Sequence, residues 1–539
     1  MTRGPRGPRG LKAAKRWRGE VTAKWRGVTP NRECACVRVC ACARVRVCVA
    51  MGLKSGDGGA KKWLQLKHAD QFRRFPTLNE VRQGVEYANP NGDGTMCIPR
   101  SETVVLVDGN VLMMAVADRI TSLDEYANVI FNYIRWDAIK TGALVVVVFD
   151  EPEHMTNAKR SEQAERDAQR KKKDIVCSED VAPPPLPREF SRAQLEALAD
   201  ISSLAGDRRY KCRFYDEVIR RVYERLMALM AQWRANGHEP GVVVLDGVEP
   251  RGCELPPGET RAPAMVGSDD EVAAALARDT HIGEGDIKLI AIENRLRALK
   301  STNARFHNYT LCMTSTVDTD SFMTMLLDVS KRRVSPYAGA MHSLFCMREP
   351  PTKRERDEQG ATARASWLVC DTVLLEYKLQ CHLWSEVGEK RPTHAQMLQA
   401  MLAFCAATAV CGCDFTGKSG QKGSRFDHFW ESLPEFVAAE PQALARFGST
   451  LADDAIVARQ ACDGLLRVCY AASRHMEDKP YGGSSKKTYK SQARELWDVP
   501  DTMLRRAVWA AAYWAQREFE ADAEWGFPPN LSSDAPVCG

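Results

Sequence analysis

The stretches TVVLVDGN at residues 103–110 and ALVVVVFD at residues 143–150 decide the fold of this 539-residue chain. Each is a run of β-branched, apolar residues of strand length, which predicts a strand that is buried on both faces. Helical periodicity occupies most of the sequence between them. Two such strands joined by a helix indicate a parallel βαβ unit, so the terminal acids Asp108 and Asp150 should share the carboxyl edge of one sheet.

The same pattern recurs along the chain. A long helix is predicted at residues 215–235, followed by a third strand, GVVVLDG, and then by a fourth in YTLCMTSTVDTDSF at residues 309–322. The stretches MHSLFCM and SWLVCDTV are typical of an antiparallel hairpin. Residues 60–75 mix apolar with basic side chains, so we expect a helix there. The sequence therefore predicts an α/β fold in which several strands end at acids.

Amino-acid composition excludes few classes of function. The length favours either one domain with large insertions or two domains with tails. A net charge of +5 and a pI near 8.3 neither establish nor exclude a nucleic-acid partner. No apolar run approaches the roughly 20 residues of a bilayer-spanning helix, so we expect no membrane association.

Nineteen cysteines without any C-x-x-C arrangement favour reduced thiols rather than a disulfide framework. Closely spaced cysteines between Cys34 and Cys48 would suit a soft metal. That run, however, uses only Cys, Ala, Val and Arg, as a translated simple DNA repeat would. We interpret residues 1–50 as a low-complexity, basic, disordered extension, and Met51-Gly52 as a truer start. A transit peptide and a basic arm are the alternatives.

Acidic residues lie at four predicted strand-to-helix junctions and at one helix end. Any one of them alone is most simply a helix cap or a first-turn charge. Acids at positions i and i+2 should face the same side of extended backbone, and a cluster of carboxylates holds hard divalent cations such as Mg²⁺. The set comprises Asp108, Asp150, Glu284, Asp286, Asp318, Asp320 and Asp414.

In chain order, the strings VLVDGN, VVFDEPEHMTNAKRSEQAE, GEGDIK, STVDTDSF and GCDFTGKSG resemble the motifs of the flap endonuclease and XPG family of 5′ nucleases. Met51-Gly52 matches the family's beginning, and the resemblance covers roughly residues 51–430. Each string is short, whereas the ordered set is specific. The resemblance implies a PIN-like fold, with a mostly parallel central sheet flanked by helices, a helical arch and a helix-two-turn-helix DNA-binding region.

The resemblance also implies roles for individual residues. The seven acids would bind two Mg²⁺ ions, for which Mn²⁺ can substitute, and Arg160 with Lys159 would steady the scissile phosphate. A solvated helix face is the alternative for these two cations. The basic residues of the arch, past which a single-stranded 5′ end would run, are Arg170, Lys171, Lys172 and Lys173. The helix-two-turn-helix residues expected at duplex DNA, beside a possible K⁺ ion, are Gly417, Lys418, Gly420, Lys422 and Gly423.

The expected organisation is a nuclease core at residues 51–410 and a helix-two-turn-helix region with a helical extension at 411–539. Within the core, the arch spans about 155–236, and loop insertions occur at about 247–270 and 348–362. The expected activity is Mg²⁺-dependent cleavage of DNA at 5′ flaps or 5′ ends, in repair or replication, with a nuclear location as the family's default. No sliding-clamp peptide is recognisable.

Two other functions remain open. One is a 5′-to-3′ exoribonuclease, because GEGDIK is also similar to an element of that related branch. The other is a protein that binds branched nucleic acid without cleaving it, although the complete acidic set argues against this. A nucleotide-binding α/β protein is disfavoured, because neither a G-x-G-x-x-G string nor a Walker lysine follows the opening strands.

Overall fold

A computed structural model describes part of the chain. The described residues are 24–25, 68–88, 95–110, 112, 122–150, 208–246, 265–277, 283–316, 319–332, 341–349, 357, 366–385, 393–410, 413, 442, 445–447 and 501–515. They include five of the seven predicted site acids, all but Asp318 and Asp414. They do not include residues 151–207 or 414–441, where the predicted arch and helix-two-turn-helix motifs fall.

The described strands form two sheets. In chain order they are β1 Lys24–Trp25, β2 Phe72–Phe75, β3 Val85–Ala88, β4 Thr95–Cys97, β5 Thr103–Asp108, β6 Leu144–Val148, β7 Val242–Asp246, β8 Met265–Gly267, β9 Leu311–Thr316, β10 His342–Glu349 and β11 Ser366–Asp371. Eight of them make the central sheet, in the order β2-β11-β10-β9-β5-β6-β7-β8, and β1, β3 and β4 make a small separate sheet. The five strands from β10 to β7 are parallel, and antiparallel strands complete both edges.

Helices flank this mixed, mostly parallel sheet. They are α1 Leu78–Gly84, α2 Leu123–Tyr133, α3 Arg208–Ala235, α4 Asp270–Leu276, α5 Gly285–Thr302, α6 Thr319–Arg332, α7 Thr372–Ser385, α8 His394–Val410 and α9 Asp501–Trp514. A π-helical turn at Ile134–Ala138 and a further turn at Ile139–Thr141 extend α2. Among the described residues, none of the helices is both long and apolar enough to cross a bilayer.

The apolar runs that predicted β5 and β6 are buried from end to end, as expected for the middle of a parallel sheet. Alternate side chains point to opposite faces of a strand. Val105 and Val147 therefore join one core with α2 and α3, while Leu106 and Val146 join a second core with α4 and α5. The α/β architecture and the antiparallel pairing of β10 with β11 are confirmed.

The strand order creates a crevice at the carboxyl edge. From β5 the chain proceeds to β6 and β7 on one side, and later returns to β9 and β10 on the other side of β5. Sheets of this kind place their sites where the connections diverge, at the carboxyl ends of the strands. Asp108, the last residue of β5, lies at that switch point.

Three segments differ from the sequence interpretation. Phe72–Phe75, expected to be helical, forms β2 on the edge of β11, because strand pairing depends on a distant partner more than on local composition. Met265–Gly267, within the predicted insertion 247–270, forms β8 on the other edge. Lys24–Trp25, within the extension 1–50 that was expected to be disordered, forms β1 and pairs with β3. The helix predicted at residues 215–235 is confirmed as part of α3, and its Val218 and Leu226 belong to the core.

Gly241 is the residue just before β7, and replacing it tests how closely that strand packs on its neighbour. Its φ is +82°, and a Cβ there would lie 2.6 Å from the carbonyl oxygen of Ala143. We predict that Gly241→Ala lowers the free energy of unfolding in urea by about 2–5 kcal/mol, from left-handed strain of about 1–2 kcal/mol and overpacking of about 1–3 kcal/mol. Gly237 is the matched control, because its φ is +73° but a Cβ would meet nothing within 4 Å. Equal losses in both alanine variants would contradict the crowding argument.

Candidate functional site

Asp108 and Asp150 point at one spot beside the start of α5. A Cβ built on Gly285 would lie 3.1 Å from Asp150 Oδ1 and 3.5 Å from Asp108 Oδ1. Glycine leaves this space open, because any other residue would place a side-chain carbon between the two carboxylates. The expectation that two neighbouring strands bring their acids together is therefore met.

Asn110 joins the ends of the two strands. Its backbone N–H donates to Asp108 Oδ1 at 3.0 Å, and its side-chain oxygen accepts the Asp150 N–H at 3.2 Å. The first contact is a local turn of the kind that Asp favours. The second fixes the position of the chain just after β6. The asparagine in VLVDGN thus orients both acids, a role that the sequence interpretation did not assign.

The start of α5 brings in the next two acids. Asp150 Oδ1 accepts a hydrogen bond of 2.6 Å from the N–H of Gly285, the first residue of the helix. Glu284 occupies the N-cap position, is buried, and makes no capping bond with its side chain. Asp150 therefore supplies the cap from another strand. Asp286 follows in the first turn, so the expectation that Glu284 and Asp286 lie on extended backbone is wrong: the helix begins between them.

The end of β9 connects to Asp108 through hydroxyl groups. The Thr316 hydroxyl donates to Asp108 Oδ2 at 3.3 Å and lies 3.5 Å from the Ser321 hydroxyl. Asp320, next to Ser321 in the first turn of α6, is buried. The strand end and the following helix thus turn toward the same crevice. Thr316 and Ser321 were not predicted, although both stand within the string STVDTDSF.

The C-terminal helix α9 also reaches the acids. Burial raises the pKa of the Tyr513 hydroxyl well above its ordinary value, and the nearby carboxylates of Glu284, Asp286 and Asp150 raise it further. The Tyr513 hydroxyl hydrogen-bonds Glu284, and its ring stacks on Trp509 at 4.9 Å between centroids. A residue more than two hundred positions from Glu284 therefore borders the site, and no motif in the sequence indicated it.

The remaining predicted site residues lie outside the described part of the chain. They are Asp318, Asp414, Lys159, Arg160, Arg170, Lys171, Lys172, Lys173, Gly417, Lys418, Gly420, Lys422 and Gly423. Within the described part, no three side chains of His, Cys, Asp or Glu already surround a point as metal ligands do. Within that part, Asp108 and Asp150 converge on one point, and Glu284 is the N-cap residue of the helix that begins there.

The donors present at this crevice suit a hard divalent cation. They are carboxylate and hydroxyl oxygens, which Mg²⁺ and Mn²⁺ prefer, and the space beside Gly285 is bordered by two carboxylates. The amino ends of α5 and α6 carry partial positive charge, which offsets part of the repulsion between neighbouring acids.

Comparison of the chain with protein-family models and with curated protein sequences found no match.

Gly285→Ala tests whether the space between the acids holds a cation. We predict that the variant binds Mn²⁺ about 10-fold or more weakly than the wild type, measured by titration calorimetry. A site whose metal ligands are disturbed in their orientation typically loses about 10–100-fold in metal affinity. The unfolding free energy in EDTA should change by less than about 1 kcal/mol, because alanine is the better helix former. Ser301→Ala, at an exposed position of the same helix, is the control and should bind Mn²⁺ like the wild type. Unchanged affinity in Gly285→Ala would rule out a cation at this point.

Proposed function

We propose that this chain is a metal-dependent, structure-specific 5′ nuclease that hydrolyses phosphodiester bonds in DNA. The supporting observation is the convergence of Asp108 and Asp150 on the first turn of α5, beside Glu284 and at the switch point of the sheet. The ordered resemblance to the flap endonuclease and XPG motifs supports the reaction type. Cleavage at 5′ flaps or 5′ ends, in repair or replication within the nucleus, follows from that resemblance.

The acids would supply the ligands for two Mg²⁺ ions. Bound divalent ions provide an activated water and neutralise the charge that develops on the attacked phosphate. Asp108, Asp150 and Glu284 are held in place by hydrogen bonds from Thr316, Gly285 and Tyr513. Such pre-positioned side chains need little rearrangement when substrate arrives, which favours catalysis. Asp286, Asp318, Asp320 and Asp414 would complete the set.

Other parts of the chain would hold the substrate. Arg160 and Lys159 would contact the scissile phosphate, and the basic run 170–173 would line the path of the single-stranded 5′ end. The glycine-rich stretch 417–423 would let backbone amides approach a duplex phosphate, with a K⁺ ion beside it. Binding through so many cations would weaken steeply as salt concentration rises. A PIN-like fold with a helical arch is part of the same proposal.

Asp150→Ala tests the proposed reaction. With Mg²⁺ present, we predict that the wild type cuts a labelled 5′-flap DNA and that the variant is slower by at least about 10³-fold, because losing several kcal/mol of charge stabilisation costs a factor of ten per 1.4 kcal/mol. The control is Asp124→Ala, which removes an exposed acid paired with Arg221 and Arg225 on the surface. It should retain wild-type activity.

The outcomes separate the competing functions. Faster cutting of matched 5′-phosphorylated RNA than of any DNA substrate would favour the exoribonuclease. Tight binding of flap DNA without cleavage, in the presence of either Mg²⁺ or Mn²⁺, would favour a non-cleaving binding protein. Equal activity in wild type and Asp150→Ala would contradict the assignment of the acids.

A further inference from the structure

Lys288 and Asp246 form an ion pair that is almost completely shielded from solvent, with 0% and 1% of their side chains exposed. The Lys288 ammonium lies 2.7 Å from Asp246 Oδ2 and also donates to the backbone carbonyl oxygen of Phe149 at 2.8 Å. One side chain on α5 therefore binds the end of β7 and the residue that follows β6. These two hydrogen bonds hold the ammonium in a fixed direction.

The residues that Lys288 contacts adjoin the acids. Phe149 immediately precedes Asp150, and its ring packs on Gly109, the residue after Asp108. Lys288 is one helical turn from the N-cap, since its N–H donates to the Glu284 carbonyl oxygen at 3.1 Å. Lys288 thus connects the backbone that carries Asp150 to the helical turn that begins at Glu284.

Stability alone does not account for such a pair. Removing two charges from water costs several kcal/mol per ion, and apolar pairs of similar volume are often as stable or more stable. A second ion pair on the same helix, with a buried Glu293 and a partly exposed Arg297, gives a contrast. Glu293 and Arg297, 2.7 Å apart, contact Ser343 near the start of β10. This pair therefore lies at the amino ends of the parallel strands, whereas Asp108 and Asp150 lie at the carboxyl ends.

We propose that Lys288 is a positioning residue for the candidate metal site. By binding the Phe149 carbonyl and the Asp246 carboxylate at once, it sets the distance between Asp150 and the Glu284 turn that a divalent cation requires. Residues that orient metal ligands typically contribute about 10–100-fold to metal affinity. This inference rests on the proposed function, because it assumes that these acids bind a cation.

The test replaces the ion pair with an apolar pair. In Lys288→Met/Asp246→Leu, the unfolding midpoint in EDTA should stay at or above that of the wild type, because no unpaired charge remains buried. Mn²⁺ affinity, measured by calorimetry and by the electron paramagnetic resonance of free Mn²⁺, should fall about 10–100-fold. A second variant, Asp246→Asn, keeps a side-chain oxygen that can accept from the Lys288 ammonium. Both contacts of Lys288 should therefore persist, and Mn²⁺ affinity should stay within about threefold of wild type.

Arg297→Met is the matched control, since it breaks the other ion pair of α5. It should lower the unfolding midpoint while leaving Mn²⁺ affinity unchanged. Wild-type affinity in the double variant, or an equally large loss in Asp246→Asn or Arg297→Met, would overturn the positioning role and leave the proposed nuclease intact. A wild-type protein that binds no Mn²⁺ would overturn both.

Discussion

The contact between the Asp150 carboxylate and the Gly285 amide is the interaction on which the site depends. It joins the end of β6 to the beginning of α5, 135 positions later in the chain. The amino end of a helix carries partial positive charge, so this placement stabilises a carboxylate that has Asp108 and Glu284 as neighbours. Because Gly285 has no side chain, the two strand acids also approach the same point without a carbon between them.

Crowding acids at one edge of the sheet opposes folding, and other parts of the molecule compensate for it. Two apolar cores, one on each face of β5 and β6, hold the strand ends in place whether or not the acids are neutralised. Hydroxyl groups of Thr316 and Tyr513 contact two of the acids from different elements. Sites that violate the usual rules of polar burial in this way are expected where function requires them.

Much of the fold could be predicted from local patterns. The runs TVVLVD and LVVVV are long enough and branched enough to be strands only in a sheet covered on both faces, and both are. The edge strands β2 and β8 were missed, because a short strand forms only where a partner offers unpaired backbone groups. Lys288 left a weak signal, since it stands among apolar residues in IKLIAI where a solvated lysine would be unusual.

The sequence by itself determined that β5, β6, β7 and β9 are strands and that an acid ends or follows each of them, because apolar run length and period are local properties of the chain. Only the tertiary structure decided that Asp150 caps α5, that Lys288 binds behind Phe149, and that Tyr513 on the C-terminal helix touches Glu284. Those contacts join residues far apart in the chain. Their geometry is set by strand order and helix packing, which no local pattern of residues records.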